Sequence, residues 1–198
     1  MQLAALQAAQ RKADQRRMRI IVGAAIALAI ALVVPTGYVI WNAERDHAQA
    51  REAAAAPIEG AKEYDGLSAT HTTEDVSYAQ TPPVGGDHHP TWQNCGFYDG
   101  PVVEEHAVHS LEHGAVWVTY APDLPESDLA ELRNLAQRYP YLLVSEHEGV
   151  DSVVASAWGV QVELDGVSDE RLLPFLLKYL QGPQTPEPGA TCSGGIGA

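Results

Sequence analysis

Apolar and polar residues follow different rhythms in successive parts of this chain. Ile20–Trp41 is a run of 22 residues with no charged side chain. As a helix it is about 33 Å long, enough to cross the hydrocarbon core of a bilayer. Pro35 and Gly37 lie inside it, which membrane helices tolerate, and Tyr38 and Trp41 stand where an interfacial aromatic belt belongs. Asn42–Ala56 is rich in Ala, Glu and Arg and predicts a few more helical turns, ended by Pro57 and Gly60. Gly60–Gln80 has few large apolar residues and predicts an extended lead-in with one short strand near Val76–Tyr78. Residues 81–101 are dense in Pro, Gly, Asp and Asn and predict a loop stiffened by Pro82, Pro83 and Pro90.

Glu104–His113 predicts a helix, with Gly114 as its C-cap. Ala115–Tyr120 is a buried strand. Glu126–Tyr139 is an amphipathic helix, because Leu129, Leu132, Leu135 and Ala136 share one face. Tyr141–His147 is a strand, and Val153–Trp158 with Val160–Leu164 makes two more, or one interrupted at Gly159. Ser168–Gln181 is a further helix capped by Ser168 or Asp169, with Leu172, Phe175, Leu176 and Tyr179 facing inward. Gly182–Ala198 is a Pro/Gly-rich tail. The expected class is α/β (or α+β): a small sheet of three to five strands with two flanking helices on one face, plus the N-terminal transmembrane helix. The expected segments are a basic arm (1–19), the membrane span (20–41), a linker and lead-in (42–77) and a globular domain (78–198).

Charge adds orientation to this outline. The chain carries 12 Lys/Arg against 26 Asp/Glu, a net charge of −14. Five of the basic residues (Arg11, Lys12, Arg16, Arg17 and Arg19) precede residue 20 and face only Asp14. By the positive-inside rule this places the N-terminus in the cytoplasm and the main domain outside a single-pass cell-membrane protein. A cleaved signal peptide is the rival; the long leader and the lack of a small-x-small site after the apolar run favour the anchor. The strongly acidic remainder argues against nucleic acid as a partner. In an exported domain Cys95 and Cys192 are expected to form a disulfide pinning the tail, the alternative being two free thiols with one near the histidines.

The chemistry concentrates in residues 88–113, which hold five of the eight histidines. His109-Ser-Leu-Glu-His113 places two imidazoles and a carboxylate at i, i+4 and i+3 of one helix. The H-x-x-E-H spacing matches inverted zinc peptidases, in which two helical histidines bind zinc and Glu is the base. Those enzymes continue the helix past the motif, whereas here Gly114 ends it. His88, from the stiff loop, is the expected third nitrogen donor. The candidate metal set is therefore His88, His109, His113 and Glu112, for copper or zinc. His89 and His106 are weaker candidates; His47 reads as solvated, and His71 and His147 as structural. Trp117, Trp158, Tyr120 and Tyr141 read as core or sheet residues. There is no Ser-His-Asp arrangement, phosphate loop, Rossmann fingerprint or haem-attachment motif.

From about Tyr78 to Cys192 the chain resembles the bacterial membrane-anchored proteins of domain-of-unknown-function family 3105. The resemblance rests on Pro82-Pro83-x-x-Gly86-x-His88, Gly96-x-Tyr98, His109-Ser-Leu-Glu-His113-Gly114, Tyr120-x-Pro122, Ala157-Trp158-Gly159, and finally Pro186-Glu187 and Cys192. Where the family shows a Ser-Gly-Pro-His turn, this chain has Gly85-Gly86-Asp87-His88. The resemblance implies a single-span extracytoplasmic domain, singles out His88, His109, Glu112 and His113, and leaves His89 and His106 outside the pattern. It implies no reaction. Three expectations follow: a membrane-anchored metal-binding domain, catalytic only if Glu112 serves as the base of a zinc hydrolase, or a non-catalytic accessory subunit of a membrane complex with structural histidines.

Overall fold

The computed structural model describes residues 17–18, 21–23, 31–35, 37–38, 41, 45 and 48–197. Half of the expected membrane span, and nearly all of the basic arm, lies outside the described residues. Among the described residues no helix is long and apolar enough to cross a membrane. The chain divides into residues 1–49 and 50–198, and the second unit contains every element below. Residues 48–55 are helical and stop just short of Pro57.

Six strands form one mixed sheet in the order β1-β6-β5-β3-β4-β2. They are β1 (Lys62–Glu63), β2 (Gly96–Pro101), β3 (Val116–Tyr120), β4 (Leu142–Glu146), β5 (Val153–Ala157) and β6 (Val160–Leu164). The helices that follow β1 among the described residues are α1 (Glu104–Glu112), α2 (Glu126–Arg138) and α3 (Leu172–Tyr179). β3 runs parallel to β4, which needs a crossover, and α2 provides it. β5 is antiparallel to both β3 and β6. Gly159, at φ +70°, lets β5 return directly as β6, which resolves the two-strand alternative at that point.

The expectation of three to five strands and two helices on one face is corrected in three ways. The sheet has six strands because part of the Pro/Gly-rich stretch is itself a strand: Gly96 and Phe97 pair in parallel with Leu143 and Val144. A short β1 lies at Lys62–Glu63, and Val76–Tyr78 is not a strand. Three helices cover both faces. Val116, Val118, Tyr120, Leu142 and Val144 pack with Leu132, Phe175 and Leu176 on the α2/α3 side. Trp117 and Leu143 point the other way, against Ala107, Val108 and Leu111 of α1. All five residues of β3 are therefore buried, as in a central strand covered on both sides. The helix expected over Ser168–Gln181 begins at Leu172 rather than Ser168. Asp169 stands ahead of it and accepts hydrogen bonds from the Arg171 and Asp165 backbones.

Candidate metal centre

α1 is nine residues long and its last six are buried. Ala107, Val108 and Leu111 fix it on the sheet, and the neighbouring stripe carries His109 and Glu112, with His113 at the C-cap. The end of the helix is closed by a Schellman pair: Ala115 N–H donates to the Ser110 carbonyl and Gly114 N–H to the Leu111 carbonyl. Gly114 has φ +91°, and a Cβ there would meet Gln181 Cα at 3.0 Å and Thr185 Oγ1 at 3.0 Å. The expected glycine cap is therefore required both by conformation and by space.

Two straps lie over this helix. The first is the loop after the Thr81-Pro82 cis peptide. His89 N–H donates to the Glu105 carbonyl, Gln93 N–H donates to the His106 carbonyl, and Ser110 Oγ donates to the Gln93 carbonyl at 2.6 Å. The second is the lead-in, which pairs in parallel with the first. Thr72 N–H donates to the His88 carbonyl and His88 N–H to the Thr70 carbonyl, so His71 and His88 sit side by side.

His71, His88, His109 and Glu112 consequently converge. One donor atom from each lies within 4.8 Å of the others. Glu112 Oε2 is 2.9 Å from His88 Nε2, 3.5 Å from His71 Nε2 and 3.9 Å from His109 Nε2. His88, His109 and Glu112 are almost completely buried, whereas His71 is substantially exposed. These three histidines and one glutamate can hold a metal ion.

Hydrogen bonding sharpens that statement. His88 Nδ1 is 2.8 Å from the Gly86 carbonyl, and His109 Nδ1 is 2.6 Å from the His89 carbonyl. A carbonyl only accepts, so each Nδ1 must carry the hydrogen. In the neutral imidazole each Nε2 is then a bare lone pair. The His88 lone pair points at the Glu112 carboxylate and the His109 lone pair at Nε2 of His113, an arrangement that a bound cation satisfies. Fixing the ring through the distal nitrogen is also how metal-ligating histidines are oriented. Burial holds the His109 imidazole well below its ordinary value, at about 4, with His113 and His88 adding to the effect; the hydrogen bond to the His89 carbonyl and the Glu112 charge oppose it. His109 therefore stays in the neutral, ligand form at physiological pH.

The chain matches the family described as protein of unknown function (DUF3105) over residues 70–194. It belongs to that family. No curated protein and no solved structure matches it. The matched span of the DUF3105 domain begins at residue 70 and so includes His71 with the rest of the group.

The other expected residues take up distinct places in the DUF3105 domain. His113 lies just beside the four-residue group: its Nε2 is 3.0 Å from His109 Nε2 and 3.6 Å from Glu187 Oε2, and its Nδ1 donates to the Thr191 carbonyl at 2.7 Å. Cys95 and Cys192 form the expected disulfide, closing a sequence separation of 97. That bond pins the tail that carries Thr191 and Glu187, and Glu187 N–H donates to the Glu112 carbonyl. His106 donates to the Thr91 carbonyl and packs on His89, away from the group. His147 pairs with Glu104 at 2.8 Å. Trp92 packs against His109 and His113. Trp158 meets the His88 ring edge-on at 5.9 Å, so it contributes to the wall of the site as well as to the core.

Sequence reasoning missed His71, which it read as structural, and Glu187 as a neighbour of His113. No periodicity marks either residue. Only the backbone pairing of 70–72 with 88, and the disulfide-held path of the tail, bring them in.

Proposed function

We propose that this protein is a membrane-anchored, extracytoplasmic metal-binding domain whose centre is His71, His88, His109 and Glu112. The carrying observation is the convergence of imidazole Nε2 atoms and a buried carboxylate, with the Nδ1 hydrogens of His88 and His109 committed to backbone carbonyls. The donors are nitrogen and oxygen. Both cysteines are in the disulfide and the only methionines are Met1 and Met18. Such a set suits zinc or oxidised copper, and lacks the soft sulfur donors that favour Cu(I). The anchor is supported by the Ile20–Trp41 run and its basic leader, and export by a disulfide of the kind that persists in oxidising compartments.

The hydrolase reading has the H-x-x-E-H spacing behind it, but Glu112 stands within the donor group, 2.9 Å from His88 Nε2. A general base in that chemistry faces a metal-bound water and does not itself occupy the donor shell. Metal binding without hydrolysis is the reading the geometry favours, in keeping with a part in metal handling or in service to a membrane complex. Full-length protein purified in detergent should retain zinc or copper in elemental analysis, and His88→Ala should lose it. Protein that remains metal-free after incubation with both metals would sink the proposal.

A further inference from the structure

His113 is not accounted for by the four-residue centre. It is buried, its Nδ1 hydrogen is given to Thr191, and its Nε2 faces His109 Nε2 at 3.0 Å and Glu187 Oε2 at 3.6 Å. With both Nδ1 hydrogens donated to carbonyls, the neutral forms of His109 and His113 present two lone pairs to each other. A metal ion satisfies both lone pairs, and Glu187 supplies a carboxylate on the same side.

The donors divide into two sets of the same kind. His71 and His88 lie around Glu112; His113 lies beside Glu187, with His109 against His113. Each is two imidazoles with one carboxylate, and His109 Nε2, 3.9 Å from Glu112 Oε2, joins them. We infer that the centre is binuclear, with an inner ion on His71, His88 and Glu112 and an outer ion on His109, His113 and Glu187. This rests on the metal-binding reading above and extends it. With a single ion bound, His109 completes the inner set; with two, it joins His113. Two-metal sites of this kind typically hold their ions roughly 3.5–4 Å apart. Each position reaches solvent through one half-exposed donor, the His71 ring at the inner and the Glu187 carboxylate at the outer. The outer position's geometry depends on the disulfide, because the tail that carries both Glu187 and the Thr191 carbonyl is held there.

The test is zinc stoichiometry on the full-length chain, measured by titration after chelation. Wild type should bind two zinc ions, and Glu187→Gln one. His71→Ala should bind its second ion at least tenfold more weakly than wild type, the lower end of the roughly 10–100-fold that loss of even a supporting group costs. Loading with two equivalents of Cu(II) should give a magnetically coupled pair in electron paramagnetic resonance, and Glu187→Gln should give an isolated ion. One zinc per wild-type chain would overturn the binuclear inference and leave the four-residue centre standing. Two zinc ions on Glu187→Gln with unchanged affinities would also overturn it. No zinc at all would remove both readings.

Discussion

Replacing His71 with Ala tests the centre where the fold contributes least. The ring is 45% exposed, lies outside the apolar clusters, and touches only the other proposed donors: the His88 and His109 rings, each at 4.8 Å between centroids, and Glu112 at 3.5 Å. The backbone pairing of Thr70 and Thr72 with His88 does not use the side chain. Metal-free stability should therefore change by no more than about 0.5 kcal/mol, as for other surface substitutions. The metal-bound state should respond strongly. Zinc at one hundred times its dissociation constant stabilises the wild type by about 2.7 kcal/mol. Losing one donor of four raises that constant by roughly 100-fold, so the same zinc concentration then stabilises by only about 0.4 kcal/mol. For a domain of this size each kcal/mol moves the melting temperature by roughly 2–4 °C. The zinc-induced shift should fall from about 5–11 °C to about 1–2 °C. Circular dichroism melts with and without zinc, on wild type and variant side by side, read both quantities. A variant that keeps the full zinc-induced shift, or whose metal-free form melts far below the wild type, would refute the reasoning.

Three further predictions follow from the structure. Replacing Cys95 and Cys192 together with Ser should lower stability by about 4–5 kcal/mol in the chain-entropy account, read as a lower denaturant midpoint; an unchanged midpoint would show that the tail contributes nothing to the folded state. Gly114→Ala should cost at least about 1–2 kcal/mol in equilibrium unfolding, because φ +91° and the contacts with Gln181 and Thr185 both oppose a Cβ, and a neutral result would contradict the cap geometry. Hydrogen bonds from Arg171 hold the Asp169 carboxyl well below the usual carboxylate range, so its stabilisation is complete at neutral pH and is lost as acid is added from about pH 4 downward; Asp169→Asn should flatten the stability curve in that window, and a parallel curve would count against it.

Where side-chain periodicity acts locally, the sequence was readable. The leucine face of α2, the glycine cap of α1 and the i, i+3, i+4 placement of His109, Glu112 and His113 all need only neighbours along the chain. The pairing of Cys95 with Cys192 was readable from compartment logic. β2 was not, since Gly96–Pro101 has the composition of a loop and becomes a strand because β4 offers it a parallel edge; Phe97 then stacks on Tyr120 and is covered by Arg133. The coverage of both sheet faces was hidden because the apolar residues of α1 are interleaved with His and Glu, which blurs its amphipathic signal. His71 was hidden for the same reason as β2: its place is set by a tertiary pairing, between the lead-in and the loop that carries His88.

The central claim is that imidazole nitrogens and a carboxylate, and no sulfur, hold a metal here. X-ray absorption on zinc-loaded full-length protein tests it most directly. The account predicts a first shell of nitrogen and oxygen only, at about 2.0–2.2 Å, with the outer-shell scattering of at least two imidazoles. A spectrum of hydrated zinc without imidazole scattering, or one with sulfur at about 2.3 Å, would contradict it.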